Sequence, residues 1–318
     1  MHKRKVGNTE VMLGQIGFGA NAVGGHNIYG PQDEEHGRQL VRDALALGID
    51  HIDTAYIYGP ERSEVLIGEV LAELGCREQV VVATKGAHQG TQTGQQISNE
   101  PAFLRQCVED SLRRLNTDYL DIFYIHRADE TTPKYEAVGA LQRLREEGKI
   151  RAIGVSNFSL EQLLEADRDG YVDVIQNQYN LIEREPERAM LPTCVSRQIS
   201  FIPYFPLLSG LLTGKYSDGR QPDAARAAYM PAFAPPQFQH NIERVEQLRP
   251  VAEKHGCEIQ HVALAWCLTR PAIHSMIPGA KSRQQMQSNL RTASVVLDQE
   301  DQQRIDAVFA VNGSSQET

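Results

Sequence analysis

Four side chains that can move or hold a proton lie at or just after the ends of three apolar, strand-like segments. Asp53 closes GIDHID, Lys85 closes QVVVATK and His126 closes YLDIFYIH, while Tyr58 follows Asp53 by five residues. An isolated charge buried at the tip of an apolar strand costs several kcal/mol or more. Packing alone therefore does not account for these residues, and their arrangement predicts one shared site.

The four residue types suit proton transfer to an oxygen atom. A tyrosine hydroxyl is a weak acid with an ordinary pKa of about 10, but a lysine ammonium beside it favours the phenolate. Asp53 would pair with Lys85 and hold it charged and oriented, while His126 would donate a hydrogen bond to a substrate carbonyl oxygen. Tyr58 would then be a general acid that protonates this oxygen as negative charge develops. Such chemistry still requires a hydride donor.

Each of these residues also has a purely structural interpretation when it is taken alone. Asp53 and Lys85 would form an ordinary ion pair, His126 would be a satisfied core histidine, and Tyr58 would be an aromatic side chain of a surface loop. Their occurrence together at consecutive strand ends favours the catalytic interpretation.

Short β-rich runs alternate with amphipathic helical patterns along nearly the whole chain. The runs are mostly continuous apolar segments, as expected for parallel strands that are covered on both faces. They lie at residues 15–20, 48–53, 79–85, 119–126, 151–156, 172–178, 200–205 and 274–278. Eight strands alternating with helices over about 300 residues predict a single (β/α)8 (TIM) barrel domain covering residues 1–318. In such a barrel the strand ends that carry Asp53, Lys85 and His126 are neighbours.

Several local signals surround this pattern. RKVGNTEVMLG predicts a short β-hairpin that turns at Gly7–Asn8 and plugs the barrel from beneath. Ser159 with Gln162 forms a capping-box pattern, and Gly148 is suited to end a helix. The stretch 208–241, after the seventh strand, is too long for a simple connection and predicts a lid or binding loop.

The main competing topology is a Rossmann domain, because GFGANA (17–22) formally matches a dinucleotide-binding fingerprint. However, VGGHNIYGPQ follows it and cannot open a helix, and no acidic residue ends the second strand at the required distance. We therefore interpret GFGANA as a flexible loop after the first strand.

Composition and charge exclude several classes of protein. The 318 residues are 41% hydrophobic and carry a net charge of −9, which argues against general nucleic-acid binding. No segment has the pattern of a signal peptide or a transmembrane helix. The five cysteines form no CxxC pair or His/Cys cluster, so we expect free thiols in a reducing cytoplasm and no metal site.

Five segments resemble, in order, the signature motifs of the aldo-keto reductase family: DTAYIYG (53–59), ATKG (83–86), YIH (124–126), IGVSNF (153–158) and IPGAKS (277–282). The resemblance runs from about Arg4 to Phe309. Two further segments, NAVGGHNIYG (21–30) and SFIPYFPLLSGLLTGKY (200–216), look closest to a bacterial NADPH-dependent member found with inositol-utilisation genes. The resemblance implies a barrel that binds NADPH without a Rossmann fold.

The resemblance also implies roles for individual residues. It makes Asp53, Tyr58, Lys85 and His126 a catalytic tetrad in which Tyr58 is the acid in reduction and the base in oxidation. The implied contacts to the nicotinamide are Ser156, Asn157 and Gln178, with Tyr204 stacking on the ring. The implied contacts to the pyrophosphate are the segment 207–211, with Leu207, Ser209 and Leu211, and Lys215. Those to the adenosine end are Gly279, Lys281, Ser282, Arg283, Gln285 and Asn289.

Charge at the adenosine end bears on the choice of cofactor. Lys281 and Arg283 suit a 2′-phosphate and favour NADP over NAD, although a solvated basic helix start is the alternative. Many members of the family that this chain resembles have a lysine at the position of Gly279 and an arginine at the position of Gln285. The clamp on the phosphate is therefore different here, and NADH remains an open second cofactor.

The resulting expectation is an NADP(H)-dependent enzyme that reversibly reduces aldehyde or ketone carbonyls to alcohols. The alternatives are an NADPH-binding regulatory module with little turnover and a Schiff-base aldolase that uses Lys85. Small carbonyls, sugars and polyols all remain open as substrates, as do the reaction direction and the oligomeric state. The side chains expected near the substrate pocket, with packing as the alternative role, are Tyr29, His88, Arg127, Tyr229, Met230, Phe233 and Phe238.

Overall fold

The computed structural model describes residues 3–90, 96–222, 227–228 and 230–310, except for the side chain of Tyr29. An antiparallel hairpin of strands β1 (Lys3–Lys5) and β2 (Met12–Gly14) precedes the barrel. Gly7, in the turn at a positive φ of 51°, donates its N–H to Ser200 Oγ at 3.0 Å. The predicted hairpin is confirmed, and it packs against the start of a barrel strand.

A seven-stranded parallel sheet forms the barrel wall, and a small antiparallel ribbon of β6 and β7 lies beside it. In chain order the strands after the hairpin are β3 (Phe18–Gly19), β4 (His51–Asp53), β5 (Val81–Gly86), β6 (His88–Gln89), β7 (Gln96–Ile97), β8 (Leu120–Ile125), β9 (Ile150–Ser156), β10 (Val174–Gln178) and β11 (Ser200–Tyr204). The wall follows the order β3, β4, β5, β8, β9, β10, β11, and each pair is parallel.

The barrel is closed by the segment 272–279, which bridges the two edge strands. Ile273 pairs with Phe201 of β11, and Gly279 pairs with Gly19 of β3. The prediction of a regular eighth strand at 274–278 is wrong in detail, because the pairing consists of isolated bridges. Pro278 lies in this segment and has no N–H to donate to a ladder, so the closing element stays irregular.

Alternating residues of the wall strands fill the barrel interior in layers. A layer near the hairpin is apolar, and it contains side chains from the hairpin as well as from the strands: Val6, Val11, Leu13, Ala83, Ile122, Ala152, Val174 and Ile202. Side chains two residues apart on a strand point to the same face. The next inward positions toward the carboxyl ends are therefore Lys85, Tyr124, Gly154, Gln176 and Tyr204. The alternation thus places polar groups directly above an apolar plug.

Helices cover the outside of this wall. In chain order they are α1 (His26–Tyr29), α2 (Glu34–Ala46), α3 (Arg62–Leu74), α4 (Pro101–Leu115), α5 (Lys134–Glu146), α6 (Leu160–Ala166), α7 (Met190–Arg197), α8 (Gln237–Glu246), α9 (Arg249–Lys254), α10 (Ile259–Leu268), α11 (Arg283–Arg291) and α12 (Gln299–Val308). The capping box of Ser159 and Gln162 opens α6 as predicted, and Gly148 follows α5 with a positive φ. Within the described ranges no helix combines the length and apolarity needed to cross a membrane.

The long connection after β11 is largely structured. It contains 3-10 turns at Leu208–Thr213 and Pro231–Phe233, and α8 begins inside the stretch that was predicted as loop. Phe233 and Phe238 are buried and pack with Tyr216 at ring-centroid distances of 5.3 to 5.9 Å. The three rings therefore form an aromatic cluster inside the connection, and Phe233 and Phe238 act as packing residues there. Tyr229 lies outside the described residues.

The GFGANA segment is a structural part of the wall. Phe18 and Gly19 are strand residues, and Ala20–Ala22 forms a 3-10 turn. A Cβ atom on Gly19 would lie 2.6 Å from the carbonyl oxygen of Ile277, so only glycine allows the closing segment this close. The expectation of a flexible loop is wrong, because barrel closure packs the backbone of Gly19 against the segment 272–279.

Candidate active site

The carboxyl ends of β4 and β5 bring Asp53 and Lys85 into contact. Both side chains are buried, and the Lys85 ammonium donates to the Asp53 carboxylate and, at 2.9 Å, to the carbonyl oxygen of Thr54. The other carboxylate oxygen of Asp53 accepts a hydrogen bond from the Gln176 side chain at 2.9 Å. Burial lowers the pKa of Lys85 from its ordinary value, and the Asp53 carboxylate opposes this effect. The pair is therefore a buried ion pair with additional hydrogen bonds at both partners.

Two tyrosine rings face the Lys85 ammonium. Its nitrogen lies 5.6 Å from the ring centroid of Tyr58 and 5.6 Å from that of Tyr124. Tyr58 reaches this position from the loop after β4, whose Tyr56 N–H continues the ladder by donating to the carbonyl of Lys85 at 3.1 Å. The loop therefore folds over the strand ends, as the spacing of Asp53 and Tyr58 predicted.

His126 follows β8 and completes the group. Its imidazole is buried, and burial together with the nearby Lys85 charge holds its pKa well below its usual range. The ring meets that of His88 edge-on, with centroids 4.8 Å apart. A neutral imidazole carries one N–H donor and one acceptor nitrogen. His126 is therefore a neutral hydrogen-bonding group, and His88 lies beside it.

Sequence reasoning missed Gln176, which is 3% exposed and bonds Asp53. Gln176 stands two residues before Gln178 on β10, so both side chains point to the same face of the strand. This alternation was the available signal, because Gln176 lies one inward position before Gln178 in VIQNQ and its amide therefore faces the barrel interior.

The residues expected at the nicotinamide lie along the ends of three neighbouring strands. The Tyr204 hydroxyl donates to Asn157 Oδ1 at 2.8 Å, and Ser156 Oγ donates to the Gln176 carbonyl at 2.8 Å. Gln178 of β10 is paired in register with Tyr204 of β11. Asn157 has a φ of 58°, which is rare for a residue with a side chain. These neutral donors and acceptors suit an amide ligand.

The segment 207–215 combines a strained turn with a cation. Leu208, Ser209 and Gly210 all have positive φ values, and such strain often marks ligand-binding backbone. The Lys215 side chain lies over Gly210, since a Cβ atom there would be only 2.5 Å from the ammonium nitrogen. Leu207 is half-buried at the start of this turn and Leu211 is buried behind it. The N–H groups of Leu208 and Gly210 donate to carbonyls of their own loop, so the Lys215 ammonium is the group best suited to contact an anion here.

The expected adenosine-end residues surround the start of α11. Ser282 is its N-cap and accepts from the Gln285 N–H at 3.3 Å, while the Gln285 side chain accepts from the Lys281 N–H at 2.7 Å. Asn289 is buried on the same helix, and Gly279 belongs to the closing segment. Ser282 and Gln285 therefore cap the helix, and two cationic side chains remain at its positively polarised end.

One of these cations has an acidic partner that the sequence did not reveal. Arg283 lies 3.2 Å from the carboxylate of Asp43 on α2, whose side chain is 18% exposed. His36 of the same helix contacts the Lys281 carbonyl oxygen at 3.1 Å. Helix α2 therefore packs against the candidate phosphate-binding cations and places a negative charge beside Arg283.

The sequence and the fold both match known proteins. Residues 15–310 match the aldo/keto reductase family. The chain is 35% identical over 312 residues to the aldo-keto reductase YhdN of Bacillus subtilis (strain 168), covering 97% of this chain and 94% of that protein. It is 33% identical over 315 residues to the NADH-specific methylglyoxal reductase of Escherichia coli (strain K12), covering 95% and 96%. The glycerol dehydrogenase AKR11B4 from Gluconobacter oxydans is similar in structure, with a TM-score of 0.89, 30% identity and 99% of both chains covered. This chain therefore belongs to the aldo/keto reductase family and is an oxidoreductase that reduces carbonyl groups with a nicotinamide cofactor.

Proposed function

We propose that the protein is an NADP(H)-dependent reductase that reversibly converts aldehydes or ketones into alcohols, with Tyr58 as the general acid. The observation that carries this proposal is the environment of Lys85. Its buried ammonium is held by Asp53 and faces the Tyr58 ring, next to a neutral His126. A positive charge beside a phenol stabilises the phenolate that forms when the phenol gives up its proton.

The residues present fit a nicotinamide cofactor, which supplies the hydride when it is bound. Ser156, Asn157 and Gln178 offer amide-type partners, and Tyr204 offers an aromatic face. The turn 207–211 with Lys215 supports contact to a pyrophosphate. The start of α11 supports contact to an adenosine 2′-phosphate through Lys281 and Arg283.

Each member of the proposed tetrad has a distinct task in reduction. The neutral His126 imidazole donates its N–H to the substrate carbonyl oxygen and orients it. Tyr58 transfers its proton to this oxygen, and the Lys85 ammonium stabilises the phenolate that remains until solvent returns a proton. Asp53 keeps Lys85 charged and directed toward Tyr58. In oxidation the phenolate of Tyr58 accepts the alcohol proton instead.

The geometry disfavours the alternative in which Lys85 forms a Schiff base. A Schiff-base lysine attacks its substrate as a neutral amine. The Lys85 side chain is 1% exposed and donates to Asp53 and Thr54. The ion pair therefore occupies the amine and leaves no room for a carbonyl carbon to reach it.

We propose NADPH as the preferred cofactor and NADH as an accepted second one. Lys281 and Arg283 favour a 2′-phosphate, whereas Asp43 opposes it by pairing with Arg283. One relative is named as an NADH-specific reductase, which supports NADH as the second cofactor. All five cysteines are free thiols, which supports a reducing compartment such as the cytoplasm.

The substrate test is a panel in which absorbance at 340 nm is followed with NADPH and NADH side by side. Aldehydes, dicarbonyls such as methylglyoxal, and sugars are tested in reduction, and polyols including inositol are tested in oxidation. The polyol assays test the prediction that this protein resembles the family member found with inositol-utilisation genes. Tight NADPH binding without turnover of any compound would favour a regulatory module instead.

The mechanistic test is the Tyr58→Phe variant. We expect turnover to fall by about 100-fold or more, because general acid catalysis contributes 10²–10⁴-fold, while NADPH binding measured by fluorescence titration stays unchanged. A Tyr58→Phe protein that keeps full turnover would refute the assignment of Tyr58 as the acid.

A further inference from the structure

The turn that carries Tyr58 is held by a side chain from a different loop. Asn27, on the short helix α1, donates its side-chain amide to the carbonyl of Ile57 at 2.9 Å. Its amide oxygen accepts the N–H of Gly59 at 2.8 Å. Ile57 and Gly59 are the residues immediately before and after Tyr58, so one side chain bonds the backbone on both sides of the proposed acid.

Close packing of two glycines brings the loops together. Gly59 has a φ of 81°, and a Cβ atom there would overlap the carbonyl oxygen of Gly24. Gly24 in turn packs on Arg62 at the start of α3, with 3.0 Å between a built Cβ and that of Arg62. Arg62 forms hydrogen bonds of 2.7 and 2.8 Å with Glu34 of α2. The α1 loop is therefore tied to two helices and is a firm support for Asn27.

The remaining bonds of the turn use the other polar group of each peptide unit beside Tyr58. The Tyr58 N–H donates to the carbonyl of Ala55, and its own carbonyl accepts from the N–H of Ser63, both at 3.1 Å. These bonds hold Tyr58 itself to its own loop and to α3. The carbonyl of Ile57 and the N–H of Gly59 are bonded by Asn27. Each peptide unit beside Tyr58 therefore has one bond within its own loop or to α3 and one bond to Asn27, and the two Asn27 bonds link the turn to the α1 loop.

We propose that Asn27 is a positioning residue for carbonyl reduction, which fixes the turn 57–59 so that the Tyr58 hydroxyl meets the substrate oxygen beside Lys85 and His126. This inference rests on the proposed role of Tyr58. Proton transfer requires heavy atoms within about 3 Å, and a misplacement of about 1 Å costs up to 10²-fold in rate. A side chain that holds both flanking peptides controls a displacement of this size.

Replacing Asn27 should change the rate of catalysis without changing the global stability of the protein. Asn27 is an exposed side chain, so its two hydrogen bonds compete with water and contribute little to the free energy of unfolding. Removing them should therefore leave the fold and the cofactor site intact. The effect should appear in the chemical step, because only the placement of Tyr58 changes.

The test compares Asn27→Ala, Asn27→Asp and a control, Thr9→Ala. Thr9 makes an equivalent pair of bonds in the N-terminal hairpin, donating to the Val6 carbonyl at 2.7 Å and accepting from the Val11 N–H at 3.1 Å. All variants are assayed with NADPH and one carbonyl compound that the wild-type protein reduces. We measure kcat, KM, the NADPH dissociation constant and the melting temperature.

Asn27→Ala should lower kcat by about 10- to 100-fold through misplaced Tyr58, with KM and the NADPH dissociation constant within about twofold. Asn27→Asp should retain part of the lost rate, because its carboxylate still accepts from Gly59 but no longer donates to Ile57. Thr9→Ala should keep the wild-type kcat.

A wild-type kcat in Asn27→Ala would overturn the inference. So would an equal loss in Thr9→Ala, or a loss explained by weaker NADPH binding. These outcomes are distinct from a failure of the proposed function, which Tyr58→Phe reports. If Tyr58→Phe is inactive and Asn27→Ala is unaffected, only the positioning role is refuted.

Discussion

The Asp53 carboxylate divides its two oxygens between a cation and a neutral amide. One oxygen accepts from Lys85 and the other accepts from Gln176 at 2.9 Å. All three side chains are buried, so water does not replace a lost partner. An unsatisfied buried group costs more than the bond contributed. Gln176 therefore stabilises the charged form of the pair that faces Tyr58.

The variant Gln176→Met tests this role, since it keeps the shape of the side chain and removes the donor. A hydrogen bond to a charged group is worth about 1.5–3 kcal/mol, so we expect kcat to fall by about tenfold or more. The measurement is steady-state kinetics at saturating NADPH. Gln178→Met, two residues along β10, is the matched comparison and should raise the KM for the cofactor instead. An unchanged kcat in Gln176→Met would show that Lys85 needs no support from β10.

The neutrality of His126 leads to a prediction about pH. Its pKa lies well below the ordinary value of 6.5, because burial and Lys85 disfavour the imidazolium. The ring therefore stays neutral between pH 6 and pH 8, and kcat for reduction should show no step from this group in that range. Imidazole ¹⁵N shifts, assigned with a His126→Gln variant, provide the measurement. An imidazolium signal from His126 at pH 6 would contradict the assignment of a neutral donor.

Residues at the ends of strands were predictable, and residues that act through a neighbour were not. Strand pattern and spacing were enough to bring Asp53 and Lys85 together, because parallel strands end at one edge. Asn27 gave no signal, since its role depends on two loops meeting in space. The Asp43–Arg283 pair joins residues 240 positions apart, and no local pattern encodes such a contact.

At the scale of elements, the carboxylate of Asp173, the residue before β10, destabilises the folded state in a pH-dependent way. Asp173 accepts the Ile153 N–H and an Arg145 bond, both at 2.8 Å, on the same carboxylate oxygen. Burial nevertheless raises the pKa of Asp173 to about 6. Because this is above its ordinary value, the folded state binds the proton more tightly than the unfolded state. The contribution of Asp173 to the free energy of unfolding therefore increases as pH falls through 6.

The variant Asp173→Asn should remove this dependence, because its amide oxygen accepts the same two bonds without a charge. A shift from 3.8 to about 6 corresponds to at most roughly 3 kcal/mol, so we expect about 1–2 kcal/mol of added stability at pH 8. The gain should disappear near pH 4. Urea unfolding at these two pH values measures it, with Asp169→Asn as the control for loss of a surface carboxylate. A less stable variant at pH 8 would mean that the bond to Arg145 outweighs the cost of burial.

Elements with strong periodic signals were predictable, whereas elements shaped by closure were not. The capping box that opens α6 and the glycine that follows α5 were encoded by local residues, Ser159 with Gln162 and Gly148. The segment 272–279 pairs only through isolated bridges. Pro278 was a warning visible in the sequence, whereas the close contact with Gly19 arises only when the barrel closes. Likewise, the sequence suggested Phe233 and Phe238 as pocket residues, whereas in the structure both side chains are buried.

At the scale of the whole molecule, the groups proposed for proton transfer and those proposed for cofactor binding lie on different parts of the same barrel rim. The ends of β4, β5 and β8 carry the groups proposed for proton transfer, Asp53, Lys85 and His126. The ends of β9, β10 and β11 and the segment 272–279 carry the groups proposed for the cofactor. Gln176 links the two halves, since it lies on β10 and bonds Asp53 of β4. This hydrogen bond is the direct contact through which the proposed cofactor half could affect the proposed proton-transfer half.

The contact between α2 and α11 bears on the proposed choice of cofactor. Asp43 of α2 pairs with Arg283 at 3.2 Å, and it would compete with a 2′-phosphate for that cation at the proposed NADPH site. We expect Asp43→Asn to raise the ratio of kcat/KM for NADPH over NADH by up to about fivefold, since partly exposed ion pairs are worth up to about 1 kcal/mol. Arg283→Ala should lower the same ratio by about tenfold.

The NADH rate is the internal standard for both variants, because NADH lacks the 2′-phosphate and should be used equally well by all of them. Glu35→Gln removes the same charge from α2 at a position that bonds Arg42 instead of Arg283. If Glu35→Gln shifts the ratio as much as Asp43→Asn, the effect arises from net charge and not from the pair. If neither Asp43→Asn nor Arg283→Ala moves the ratio, the 2′-phosphate lies away from the start of α11. Since the two changes act on one contact with opposite sign, a specific site requires that they move the ratio in opposite directions.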